Sequence, residues 1–206
     1  MLNTNYHYIL KNFSLDTFIE TGTLSGETVD DVSSFFSGKV ITVDCNDAKL
    51  KNPKVEYVVS DSAKYLDKTV NSLTENTVFY LDAHSYESTP LRDEIKAIMR
   101  KPKSVVIIDD FLVPHKWWHR FDVYQYGVNS WRKVKDLFPA ESQVFFPKEA
   151  NADGRGSVAI FTGYHKLDLP KELFFAPEEK DDLLLETIFI MFYNLKKALC
   201  LTPNSA

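Results

Sequence analysis

The chain has 206 residues, 44% of them hydrophobic, which suits one domain with a sizeable core and leaves little room for a second. A net charge of −5 and a pI near 5.6 argue against nucleic acid as the main partner, because phosphate binding needs clustered Lys and Arg. The two cysteines, Cys45 and Cys200, form no Cys-x-x-Cys pair, so they suggest neither a zinc site nor a disulfide framework and fit a reducing cytoplasm.

The first ten residues, with Asn3, Asn5 and His7, lack the basic and apolar regions of a signal peptide. Thr17-Phe18-Ile19 reads as a first buried strand, ending in a turn from Glu20 to Gly26. A helix is expected from Glu27 to Ser37, stopped by Gly38. Lys39 to Val43 is the second strand and Glu56 to Val59 the third; the link between them is short, so any helix there must be small. A helix carrying Ala63, Leu66 and Val70 precedes the fourth strand, Thr77 to Leu81. Pro90 can open the next helix, to about Met99, since a proline at the first helical position loses no needed hydrogen bond. Ser104 to Ile108 is the fifth strand.

Strands separated by helices imply right-handed crossovers and a parallel sheet. Beyond Asp110 comes an aromatic segment, Phe111 to Gly127, and then a helix near Asn129–Phe138. Gln143–Phe146 and Ser157–Phe161 read as two strands joined by a loop containing Asp153-Gly154-Arg155-Gly156. The tail from Asp181 to Leu201 reads as an apolar helix with more than one apolar face, which favours a homo-oligomer. No stretch approaches the roughly 20 apolar residues of a membrane span. The expectation is a single doubly wound α/β domain with a seven-stranded, mostly parallel sheet, a C-terminal antiparallel hairpin and an added C-terminal helix. Its core would cover about residues 15 to 162.

In such sheets, ligands bind beyond the carboxyl ends of the strands. Five successive strand ends here carry Glu20, Asp44, Asp61, Asp82 and Asp109-Asp110. Carboxylates near a buried edge are costly unless they meet a ligand, metal or donor. Gly22 and Gly26 let the backbone approach a ligand, but their spacing lacks the Gly-x-Gly-x-x-Gly of pyrophosphate binders. An acid before Gly22 suits an ammonium group, and Asp44, 22 residues after Gly22, suits ribose hydroxyls. A nucleoside bearing an amino acid satisfies both.

Phe18-Ile-Glu-Thr-Gly-Thr-Leu-Ser-Gly-Glu-Thr28 resembles motif I of class I S-adenosylmethionine-dependent methyltransferases, and Val43-Asp44 resembles the next motif. Tyr80-Leu-Asp-Ala-His84 with Ile108-Asp-Asp-Phe111 is similar to the metal-dependent O-methyltransferases of the macrocin O-methyltransferase type and, more distantly, to catechol O-methyltransferase. The resemblance implies that the cofactor would be held by Glu20, Thr21, Gly22, Thr23, Ser25, Gly26 and Thr28, with Glu20, Gly22 and Thr23 on its methionine part. Asp44 would hold its ribose, Asp61 and Ser62 would flank its adenine, and Asp82 would border it. Asp82, Asp109 and Asp110 would bind magnesium or another divalent cation. Asp110 is an amide in catechol O-methyltransferase but a carboxylate here, as in the sugar enzymes.

Oxygen ligands suit magnesium, and a metal holding a vicinal diol would lower the pKa of one hydroxyl. His84 could take that proton or serve as a fourth ligand. The segment from Phe111, with Trp117, Trp118, Asp122 and Tyr124, is a candidate lid over the acceptor, and Arg155 could reach an anionic substrate group. The leading expectation is an O-methyltransferase acting on a sugar or other hydroxylated small molecule. Two alternatives stay open: a metal-independent N-methyltransferase, and a domain that keeps the cofactor pocket but serves binding or assembly.

Overall fold

Period-two alternation along the strands sends side chains to two separate cores. Phe18, Val40, Val78, Tyr80, Val105 and Ile107 face one side of the sheet, and Ile19, Ile41, Phe79, Leu81, Val106 and Ile108 face the other. Strands buried on both faces read as continuous apolar runs, the mark of a parallel sheet covered by helices. The computed structural model describes residues 2–48, 50–84, 89–114, 116, 119–121, 123–124, 127–176, 187 and 191.

The chain begins with helix α1, Thr4–Asn12, whose first turn is capped by the Asn3 side chain. Strand β1 (Thr17–Thr21) and helix α2 (Glu27–Phe35) follow, then β2 (Lys39–Asp44) and β3 (Val55–Val59). Helix α3 (Ser62–Thr69), β4 (Thr77–Leu81), α4 (Leu91–Ile98) and β5 (Ser104–Ile108) complete the parallel part. A small antiparallel ribbon, β6 (Val123–Tyr124) and β7 (Gly127–Val128), precedes α5 (Trp131–Val134). Strands β8 (Gln143–Pro147), β9 (Val158–Thr162) and β10 (Phe174–Phe175) come last. Helices α1 and α2 pack with the first core; α3, α4 and α5 pack with the second.

The main sheet runs β10-β8-β9-β5-β4-β1-β2-β3. Strands β1 to β5 are parallel, and β9 inserts antiparallel between β5 and β8. The expected doubly wound sheet with an antiparallel hairpin is present, but it has eight strands rather than seven. The extra strand is β10, a two-residue pairing against Phe146 and Pro147 that is too short to carry a period. Helix α1 was not anticipated either. The helix expected over 129–138 is a single α turn followed by a 3-10 turn, Lys135–Leu137. Of the expected C-terminal helix, only Thr187 and Met191 are among the described residues. No helix among the described residues is long and apolar enough to cross a membrane.

Strand order reverses at β1, which lies between β2 and β4. In such sheets ligands bind beyond the carboxyl ends of the strands at that switch point, and β5 lies next to β4 on the same edge.

Candidate functional site

β1 ends in the buried Glu20 and Thr21, and the chain then turns sharply at Gly22. Gly22 has φ +83°, and a Cβ there would lie 2.6 Å from the carbonyl oxygen of Asp82. Only glycine lets the backbone pass so close to the end of β4. Its amide donates to the Val43 carbonyl, so the turn is stitched to both neighbouring strands. Gly26, at φ +79°, caps the N-terminus of α2. Leu24 at the tip of the turn has φ +45° and is 87% exposed.

Asp44 closes this turn from the end of β2. Its Oδ2 accepts the Thr23 amide at 2.8 Å and the Leu24 amide at 3.3 Å, and its Oδ1 accepts the Asn46 amide at 2.8 Å. Burial pushes its carboxyl up, but the amides of Asn46, Leu24 and Thr23 outweigh burial and hold it below the usual range. Glu20 is buried, and its Oε2 accepts the Thr42 hydroxyl at 2.6 Å. The Thr42 and Thr23 hydroxyls lie 2.7 Å apart. Burial pushes Glu20 up to about 8 despite Thr42 and Thr28 beside it, so its carboxyl holds a proton at neutral pH. A cation placed there would draw it back to the carboxylate. Thr28 is buried next to Glu20 and Ser25 is exposed. Asp61 caps α3 by accepting the Lys64 amide at 2.9 Å, and Ser62 is buried behind it.

The second half of the site lies at the ends of β4 and β5. His84 Nε2 is 3.2 Å from Asp110 Oδ2 and 3.7 Å from Asp82 Oδ1. One ligand atom from each of Asp82, His84 and Asp110 falls within 4.8 Å of the others, a group able to hold a metal ion. Asp110 is buried with φ +51°, a left-handed backbone that a non-glycine residue rarely adopts. Its Oδ1 lies 2.6 Å from Arg155 Nη1. Burial raises the Asp110 carboxyl, but His84 and Arg155 override it and hold it low. Asp82 is pushed well above the usual range by burial and by the neighbouring Asp109 and Asp110.

Asp109 stands apart from the metal-capable group. Its carboxyl accepts the Tyr80 hydroxyl at 2.5 Å and the Asn151 side-chain amide at 3.1 and 3.3 Å. Burial and the neighbouring Asp110 raise it. The structure therefore gathers Asp82 and Asp110 with His84 and commits the Asp109 carboxyl beside them to hydrogen bonds with Tyr80 and Asn151.

Of the residues expected at the acceptor, Phe111 is fully buried against Phe146 and reaches no cleft. Tyr124 is buried, with its ring edge-on to His84 at 5.3 Å. Arg155 faces Asp110 and also pairs with Asp153 at 2.8 Å. Trp117, Trp118 and Asp122 lie outside the described residues.

The sequence reading missed two residues. Asn151 had no visible signal; it acts through a loop fold that brings its side chain from the β8–β9 connection to Asp109. Glu94 had one: it sits at helical spacing between Leu91, Ile95 and Ile98, an acid inside an apolar stripe.

Neither family models nor curated proteins give a match. Solved structures do. A candidate O-methyltransferase from Klebsiella pneumoniae superposes with a TM-score of 0.56 at 13% identity, over 78% of this chain and 79% of that one. A SAM-dependent methyltransferase from Archaeoglobus fulgidus gives 0.50 at 15% identity, over 94% and 84%. Spermidine synthase from Thermotoga maritima gives 0.50 at 14% identity over 82% of this chain, which spans 61% of that protein's length. At these identities the likeness establishes the fold, the Rossmann-like architecture these proteins share.

Proposed function

We propose that the chain is an S-adenosylmethionine-dependent methyltransferase that methylates a hydroxyl of a small molecule, such as a sugar, with the help of a divalent cation. The observation that carries this reading is the pairing of two half-sites across one switch point. The Glu20–Gly26 turn with Asp44 stands on one side, and Asp82, His84 and Asp110 stand on the other. The SAM-dependent methyltransferase of the same fold reported above supports the cofactor class.

Glu20 would face the cofactor's ammonium, Asp44 its ribose, and the α3 N-terminus around Asp61 and Ser62 its adenine. Asp44 already accepts three amides, so it enters the ligand complex held in place rather than recruited. The residues at the second half-site fit a divalent cation. Asp82 and Asp110 offer oxygen and His84 nitrogen within 4.8 Å of one another, the mixed donor set a divalent cation accepts. When bound, the cation would orient the acceptor and lower the pKa of its hydroxyl.

The chain's own residues do the rest. His84 would serve either as a ligand through one ring nitrogen or, with Nε2 donating to Asp110 Oδ2, as the base that takes the hydroxyl proton at Nδ1. Tyr124 walls one side of the imidazole. Asp109 keeps the end of β5 in place through Tyr80 and Asn151. The cofactor's methyl carbon is already electrophilic, so alignment of the attacking oxygen is the protein's main task.

A second reading uses the same acids. Asp82 and Asp110 could pair with an amine acceptor without metal, giving N-transfer. Titration with Mn2+ followed by electron paramagnetic resonance separates the two. One bound ion is expected in the wild type, lost in Asp82→Asn and Asp110→Asn and kept in Asp44→Ala. S-adenosylhomocysteine binding should show the reverse pattern. Cofactor binding with no Mn2+ site would move the assignment to the metal-free reading.

A further inference from the structure

Helix α4 buries Leu91, Ile95 and Ile98, and with them Glu94, which is 0% exposed. The Glu94 carboxyl faces the hydroxyls of Ser62 at the start of α3 and Thr21 at the end of β1. Neither of its oxygens, nor Thr21 Oγ1, completes a hydrogen bond within the chain. No Lys or Arg among the described residues pairs with it either. Burial pushes Glu94 up to about 7, so part of its population is charged near neutral pH. Buried polar groups are nearly always satisfied, and a carboxyl left short is among the costlier exceptions.

The same side chain lines a cavity of about 10 Å³, together with Asp82, His84, Thr89 and Asn129. That is roughly the space of one water, and the polar lining supplies the two to four partners a buried water needs.

We propose that this cavity holds one ordered water bonded to Glu94, and that Glu94 is a positioning residue that fixes Thr21 and Ser62 beneath the adenosine end of the candidate site. The role rests on the cofactor reading above. Thr21 immediately precedes Gly22, whose amide is tied to Val43; Ser62 immediately follows Asp61, which caps α3. One carboxyl thus reaches the two walls between which an adenosyl group would lie. The water gives a partner to a carboxyl that lies beside both hydroxyls without a completed hydrogen bond, and links α4 to the end of β4. Glu94 touches neither cofactor nor acceptor; it acts through Thr21 and Ser62.

A positioning role and a merely structural one have opposite signatures. Replacing an unpaired buried acid by an apolar residue of similar length often stabilises a protein. Glu94→Met should therefore raise the melting temperature of the ligand-free protein while weakening S-adenosylhomocysteine binding by about tenfold. Glu94→Gln keeps the shape and one acceptor, and should show a smaller loss of affinity. Calorimetric titration of the folded variants reads this directly, and Glu94→Gln keeps the test alive if the methionine variant fails to fold. Variants that bind S-adenosylhomocysteine as tightly as the wild type overturn the positioning role. A wild type that does not bind it defeats the cofactor reading and this role with it. The water site is then still read from a high-resolution crystal structure, where density beside Glu94 supports it and an empty cavity overturns it.

Discussion

Arg155 Nη1 lies 2.6 Å from Asp110 Oδ1, and this pair ties the loop between β8 and β9 to the turn two residues beyond β5. Asp110 is almost fully buried, Arg155 only partly so. Removing the guanidinium leaves a carboxylate in a place where charge is costly. Arg155→Ala should cost about 1–3 kcal/mol, discounted from a fully buried pair because the arginine is partly solvated. Millimolar Mg2+ should narrow the gap in melting temperature between this variant and the wild type, because a cation at Asp82 and Asp110 takes over the lost charge. A gap that Mg2+ does not change would count against a cation site there.

The same loop acts on Asp109 through Asn151, whose Oδ1 also accepts the Arg155 amide at 2.6 Å. Asn151→Ala should destabilise the fold by about 1–3 kcal/mol, the cost of leaving a buried acceptor short of a donor. Chemical denaturation checks it. Asn151→Asp should be no better, since it places a second acid against Asp109. A neutral effect of both would show that the Tyr80 hydroxyl alone satisfies Asp109.

Glycine at position 22 is required by both φ and space. Gly22→Ala sets a Cβ 2.6 Å from the Asp82 carbonyl in a left-handed backbone, a strain of about 1–3 kcal/mol before the clash is counted. The variant should fold less stably and lose S-adenosylhomocysteine binding, with Asp44→Ala as the comparison that loses binding without the clash. A Gly22→Ala protein with wild-type affinity would place the ligand elsewhere.

The pH dependence follows from Glu20. Its folded value of about 8 lies above the ordinary 4.5, so the folded state keeps a proton that the unfolded chain releases in between. Stability of the ligand-free protein should therefore fall as pH rises through that window and level off above it. Glu94, raised to about 7, contributes in the same direction. An ammonium group needs the Glu20 carboxylate, so ligand affinity should rise over the same window, with proton release visible by calorimetry in buffers of different ionisation enthalpy. Glu20→Gln should flatten both curves. An affinity independent of pH would remove Glu20 from the ammonium site.

The sheet was legible because its strands are continuous apolar runs such as Val105 to Ile108, each ending in a carboxylate. The candidate site's outline was legible for a related reason: acids gathered at five strand ends are costly unless each meets a ligand, a metal or a donor. Side-chain direction was not. Asp109 and Asp110 are adjacent in sequence and both buried, yet one bonds Tyr80 and Asn151 while the other, in a left-handed backbone that no spacing announces, faces His84 and Arg155. Phe111 reads as a lid residue by its neighbours in sequence, but packing on Phe146 places it in the core. β10 escaped notice because two residues held by pairing to β8 have no pattern of their own.

The central claim is that the Glu20–Gly26 turn and Asp44 hold an adenosyl ligand bearing an amino acid. Calorimetric titration of the wild type with S-adenosylhomocysteine and with 5′-methylthioadenosine, which lacks the amino acid, tests it most directly. The account predicts saturable one-to-one binding of S-adenosylhomocysteine, much weaker binding of methylthioadenosine, and loss of both in Asp44→Ala. No binding of S-adenosylhomocysteine, or equal affinity for the two ligands, would contradict it.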